Sequence, residues 1–123
     1  MKKLLLVCLM MLAGSAWAEW VMYGKNKEAT FYYDPTTIRK EGNMRRIWEL
    51  HNLRERHKDG EISVRYRSEY DCMDERIRIL GVTEHSEPMA GGAVLTTVGE
   101  DNNWMPIAPE TIGAILLNLV CAK

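Results

Sequence analysis

The side chains able to do chemistry are few and scattered. His51, His57 and His85 fall at no spacing that sets two imidazoles on one metal, and no cysteine is spare to join them. We therefore expect surface or loop histidines, and no metal or cofactor. Glu84-His85-Ser86-Glu87 places acid, base and hydroxyl side by side. Neighbours on a strand point to opposite faces, whereas catalytic groups must converge, so adjacency here argues against a site. Met89-Ala90-Gly91-Gly92 lacks the Gly-Lys-Ser/Thr ending of a phosphate loop. The expectation is a protein that is not an enzyme.

What remains is ionic. Arg54-Glu55-Arg56-His57-Lys58 reads as a charged hairpin tip, suited to an acidic polysaccharide or a protein partner, although Glu55 and Asp59 dilute its charge toward an ordinary solvated tip. Arg65, Arg67, Arg76 and Arg78, together with Arg45, Glu49, Glu69 and Asp71, fall at strand spacing on what reads as one outer face. Arginine is enriched at protein interfaces while lysine and glutamate are depleted. The candidate binding residues are thus Arg54, Arg56, Lys58, Arg65, Arg67, Arg76 and Arg78. Trp104 is expected to close the core between sheet and helix, the alternative being an exposed anchor.

These residues need strands to hold them. Ile62 to Cys72 alternates, with Ile62, Val64, Tyr66, Ser68, Tyr70 and Cys72 on a core face and Ser63, Arg65, Arg67, Glu69 and Asp71 on a wet one. With Met73-Asp74 as a two-residue turn, Asp71 faces Arg76, Glu69 faces Arg78, Tyr70 meets Ile77 and Ser68 meets Ile79. Opposite charges across strands favour this register. Met44 to Leu53 is expected to put Trp48 and Leu50 toward the core and Arg45, Ile47 and Glu49 outward. A three-residue Lys58-Asp59-Gly60 hairpin, with Gly60 left-handed, would then set Trp48 against Tyr70 and Leu50 against Ser68. It would also oppose Glu49 to Glu69. Trp20 to Tyr23, Ala29 to Tyr33, Arg76 to Thr83 and Ala93 to Val98 are further strands, with a turn at Asp34-Pro35-Thr36-Thr37.

Beyond Pro109 the period changes. Ile112, Ile115, Leu116, Leu119 and Val120 recur at helical spacing, with Pro109 and Glu110 suited to the first turn. The fold class is α+β, a mainly antiparallel β-sheet with a C-terminal α-helix packed on it.

Length and cysteine use fix the setting. The chain has 123 residues, enough for one domain. Met1-Lys2-Lys3, the apolar run Leu4 to Leu12 and Ala16-Trp17-Ala18 form a signal peptide over residues 1–18, leaving a domain over residues 19–123. The run is too short for a bilayer, which needs roughly 20 apolar residues, so the mature chain is expected to have no membrane anchor. Val7 before Cys8, with seven residues ahead of it, is not a lipobox. Losing Lys2 and Lys3 leaves 14 basic against 17 acidic residues, which gives no support to nucleic-acid binding. Of three cysteines, Cys8 leaves with the signal; Cys72 and Cys121 most simply pair in an oxidising compartment, two free thiols being the alternative.

The order of landmarks resembles a known pattern. It comprises Trp20, Phe31-Tyr32-Tyr33-Asp34 with Thr36-Thr37-Ile38-Arg39, Trp48-Glu49-Leu50, Ser68-Glu69-Tyr70-Asp71-Cys72 with Arg76-Ile77-Arg78, Met89-Ala90-Gly91-Gly92, Trp104-Met105-Pro106-Ile107-Ala108-Pro109, and a last helix ending at Cys121. Together they resemble the surface-adhesin protein E family of proteobacteria. The resemblance implies a Cys72–Cys121 bridge, homodimers, and binding of host extracellular-matrix or serum proteins such as laminin and vitronectin. Without a lipobox the chain is expected in the periplasm or at the cell surface. A periplasmic inhibitor or accessory module that binds a bacterial protein is the alternative function.

Overall fold

The computed structural model describes residues 18–101 and 103–122. The expected signal segment, with Cys8, lies outside the described residues except for Ala18. Among the described residues eight strands form one antiparallel sheet. They are β1 (Val21–Lys25), β2 (Ala29–Tyr33), β3 (Arg39–Glu41), β4 (Met44–Leu53), β5 (Ser63–Asp71), β6 (Arg76–Glu87), β7 (Gly91–Val98) and β8 (Met105–Pro106). Their order is β1-β2-β4-β5-β6-β7, with β3 beside β4 and β8 beside β6. One helix, α1 (Ile112–Cys121), follows. Among the described residues no helix is long and apolar enough to cross a membrane.

The charge-derived register between β5 and β6 is the one observed: Asp71 faces Arg76, Tyr70 faces Ile77, Glu69 faces Arg78 and Ser68 faces Ile79. Asp71 supplies the turn chemistry that the sequence lacked in glycine. Its Oδ1 accepts from the backbone N–H of Met73 and of Asp74, at 3.1 and 3.2 Å. Beyond Ser68 the register shifts, so that Arg67 faces Gly81 and Leu80 is an extra residue, a β-bulge.

The β4–β5 register is not the expected one. Trp48 faces Arg67, Leu50 faces Arg65 and Ile47 faces Ser68. The connection is a long loop from Arg54 to Ile62 rather than a three-residue hairpin, although Gly60 does adopt φ +97°. An odd slip turns every side chain of a strand over. Arg45, Ile47 and Glu49 therefore lie on the core face, while Trp48 and Leu50 lie on the arginine face. Glu49 meets Tyr66, not Glu69.

Helix α1 covers the core face. Leu116, Leu117 and Val120 are buried on it and pack with Ile47 and Tyr70, flanked by Tyr23, Tyr33, Ile38, Ile77 and Ile107. The helix starts later than Pro109 suggests, at an N-cap Thr111 whose hydroxyl accepts from the Ala114 N–H at 3.2 Å. Leu117 takes a core position expected of Ile115 and Leu119, which are 43% and 40% exposed. At the other end the buried Arg45 guanidinium sits under the last turn, and its Nε donates to the Val120 carbonyl at 3.2 Å. A cation there satisfies an orphan carbonyl and complements the helix dipole. Where α1 begins, a Cβ added at Gly24 would stand 3.0 Å from Ile112 Cδ1, so the strand bears no side chain at the point of closest approach.

The Cys72–Cys121 bridge ties the end of α1 to the turn after β5. Its sequence separation of 49 residues closes a long loop, for which chain entropy gives about 4 kcal/mol. The doubly substituted Cys72→Ser/Cys121→Ser protein should unfold at correspondingly lower urea concentration, by about 4 kcal/mol on extrapolation, with its slope read alongside to detect denatured-state effects.

Candidate functional site

Two polar arrangements flank the sheet, one on each face. Under the helix, burial of Glu49 is offset by two hydroxyls: Tyr23 donates to Oε1 at 2.9 Å and Tyr70 to Oε2 at 2.7 Å. Burial raises the Glu49 carboxyl above the ordinary range, and the tyrosine hydrogen bonds oppose it. Burial, then the Glu49 charge, pushes Tyr23 and Tyr70 upward in turn. His51 Nε2 is 4.0 Å from Glu49 Oε1. Its ring lies between Phe31 and Tyr66, with centroids at 4.6 and 4.5 Å. Burial pushes its pKa down to about 4. The cluster is a polar core filled by rings. Among the described residues no three of His, Cys, Asp and Glu gather as metal ligands.

His51 and His85 are therefore not surface histidines, as the sequence had suggested; both sit on strands. His85 is 3% exposed, and its Nε2 lies 2.8 Å from Thr83 Oγ1. Glu84-His85-Ser86-Glu87 is part of β6, and Ser86 Oγ accepts from the Ala93 N–H.

The opposite face carries the arginines. Glu69 accepts from Arg46 Nε at 2.8 Å and from Arg78 Nε at 2.7 Å. Asp71 accepts from Arg76 Nε at 2.9 Å. Burial raises both carboxyls, but the guanidinium hydrogen bonds outweigh it and hold each below its ordinary range. Trp104 is neither a lid under the helix nor a bare anchor. β8 pairs with the start of β6 and lays the indole over Arg76 and Arg78, at 4.5 and 4.8 Å. Arg65 stacks over Trp48 at 4.8 Å, its buried Nε without a hydrogen-bond partner among the described residues.

The expected binding residues thus divide. Arg76 and Arg78 are held by carboxylates and Trp104, and Arg65 by Trp48. Arg67 is half-buried and has no ion pair among the described residues. Arg56 is a brace, its Nη1 donating to the Gly60 and Ser86 carbonyls at 2.7 Å each. Arg54 and Lys58 are exposed, and Arg54 shares with Lys27, Glu28, Glu55 and His57 a shallow depression of about 550 Å³.

Sequence reasoning missed Arg39 and Arg46. Arg39 stands opposite Arg46, which stands opposite Glu69, which stands opposite Arg78, one row across β3, β4, β5 and β6. Arg45 had been assigned to this face because β4 was read upside down. The signal was present, since Glu69 lay within reach of a third strand, but nothing in β4 alone said which face was outward.

Comparison with known proteins places this geometry. The model of the family described as surface-adhesin protein E matches residues 20–122. The fold is similar to that of Haemophilus influenzae protein E in crystal form II, at 15% identity and a TM-score of 0.67, over 88% of this chain and 91% of that one. It is similar too to protein E from non-typeable Haemophilus influenzae, at 15% identity and a TM-score of 0.64, over 89% and 79%. At these identities the likeness concerns the fold alone. No curated protein matches the chain significantly by sequence.

The low pKa of His51 makes a pH prediction. A depressed folded-state value means stability is full above the unfolded value of about 6.5 and declines as pH falls toward about 4. The span corresponds to about 3 kcal/mol. His85 acts in the same sense, and Glu49, with its raised value, in the opposite one. The difference in urea midpoint between wild type and His51→Phe should therefore widen in favour of the variant between pH 6.5 and pH 4.5.

Proposed function

The chain belongs to the surface-adhesin protein E family, and on that premise we propose an exported, non-enzymatic binding domain that attaches to protein ligands through its arginine face and its Arg54 to Asp59 loop. An adhesin works by binding, and the family is one of surface proteins. The observation that carries the reading is the arginine face itself: a sheet surface on the side away from α1, rich in the side chain most favoured at interfaces. Residues 1–18 direct export, and the mature domain acts at the periplasm or the cell surface. Its ligands are host extracellular-matrix or serum proteins such as laminin and vitronectin.

The β7 edge supports a homodimer as part of this reading. Gly91–Val98 carries no charged residue. Val94, Leu95 and Val98 are 55%, 43% and 51% exposed. An uncharged open edge invites a second strand, and antiparallel pairing of two β7 strands is self-complementary. Leu95→Lys should convert a dimer to a monomer in sedimentation, with unchanged circular dichroism.

A periplasmic inhibitor or accessory module is the competing reading, favoured by Val7 standing where a lipobox needs a small residue. Protease treatment of intact cells separates the two, because digestion requires surface exposure. Immobilised laminin and vitronectin should retain the oxidised protein at micromolar concentration. Arg67→Glu combined with Arg54→Glu and Lys58→Glu should weaken retention about tenfold or more. No retention of folded protein at roughly 10 µM would overturn the adhesive reading.

A further inference from the structure

The arginine face is not evenly neutralised. In the row Arg39, Arg46, Glu69, Arg78 one carboxylate serves two guanidinium groups, at 2.8 and 2.7 Å. Arg39 and Arg46 stand directly opposite each other, an arrangement that repels. Arg39 is exposed and has no hydrogen bond or ion pair among the described residues. Glu41, two residues on along the same side of β3, faces Met44, acts electrostatically on Arg46 and lines one neighbouring cleft, but makes no ion pair with Arg39. One step along the strands, Arg67 faces Trp48 on one side and Gly81 on the other, so neither neighbouring strand offers it a carboxylate.

Arg39 and Arg67, without an ion pair among the described residues, and Arg46, which shares Glu69 with Arg78, surround a recess. Three adjoining shallow clefts, of about 410, 330 and 120 Å³, each have Arg39 in their wall. The smallest is lined by Thr37, Arg39, Arg46, Ile47, Trp48 and Arg67. That is too small for a cofactor, whose sites run to roughly 300–1,000 Å³, yet it offers forked cations at three corners. Guanidinium groups arranged so are matched to planar carboxylates, which they hold with paired hydrogen bonds.

The same corner ends in an open sheet edge. Among the described residues β3 pairs with β4 and with no other strand. An extended chain laid along it would gain main-chain hydrogen bonds and place alternate side chains over the arginine face. A sugar finds less here. The hydroxyls beside the recess are already engaged: Thr36 donates to Asp34 Oδ1, while Thr37 donates to the Asp34 carbonyl and accepts from the Trp48 N–H. The Trp48 ring is already covered by Arg65.

We propose that the recess bounded by Arg39, Arg46, Trp48 and Arg67 is a carboxylate-binding subsite that recognises an acidic, extended peptide segment of a partner protein, seated along the β3 edge. The proposal rests on the protein-binding reading above and names the ligand chemistry of one part of that surface.

The test is fluorescence anisotropy with a labelled ten-residue peptide of alternating Glu and Thr, against one of alternating Gln and Thr. The acidic peptide should bind more tightly, by about tenfold or more, and weaken as salt is raised. Arg39→Glu/Arg67→Glu should lose about tenfold or more of that affinity, and Arg39→Gln/Arg67→Met, which keeps bulk without charge, should lose most of it as well. Lys25→Glu on β1 should change nothing. Equal binding of the two peptides, no binding of either, or unchanged affinity in the double variants would each overturn the subsite. Tighter binding of a heparin-derived octasaccharide that displaces the peptide would overturn the choice of a peptide ligand. Retention on laminin or vitronectin without peptide binding would defeat this subsite and spare the broader reading; peptide binding without retention would do the reverse.

Discussion

A helix of ten residues is about 15 Å long and can cover one face of a wide sheet, not two. That constraint organises the molecule. The face under α1 collects Ile47, Tyr70 and the rings around Glu49, and it is tied shut by the disulfide and by Arg45 at the last turn. On the other face no α-helix is packed among the described residues, and it is built largely from carboxylates and guanidinium groups in contact and from two tryptophans that lie beneath or across guanidinium groups. What the domain presents to the outside follows from which face the helix took.

The parts legible in the sequence were those where two independent signals agreed. Between β5 and β6 the apolar alternation and the charge pairs Asp71–Arg76 and Glu69–Arg78 demand the same register, and that register is observed. In β4 the signals conflict. Ile47 and Leu50 lie on opposite faces and both are buried, so apolar patterning does not say which side is the core. Arg45 and Arg46 are one of each kind: a buried helix cap and a surface ion-pair partner. With a long Arg54 to Ile62 loop in place of a tight turn, no turn geometry fixed the pairing either. Two short strands, β3 and β8, are three and two residues long and leave no periodic trace, yet they carry Arg39 and position Trp104.

The buried ionisable groups show the same economy on a smaller scale. Glu49 and Arg45 are both on the core face, where a reading by residue type would put neither. Each is tolerated because its polar atoms are met: the carboxylate by tyrosine hydroxyls, the guanidinium by backbone carbonyls. Hydrogen-bond satisfaction, more than hydrophobicity, decided which charged residues went inside.

The bulge at Leu80 gives β6 an uncommon relation to change. On one side of it the odd-numbered residues Ile77 and Ile79 look toward the helix layer; on the other the even-numbered Val82 and Glu84 do. One surplus residue thus lets a single strand switch its inward series halfway along. Swapping side chains in Arg76–Glu87 alters what is displayed, but removing or adding one residue reverses the display of half the strand. The display of β6 is thus set by the count of residues between its two pairing registers, and side-chain substitution alone leaves that count untouched.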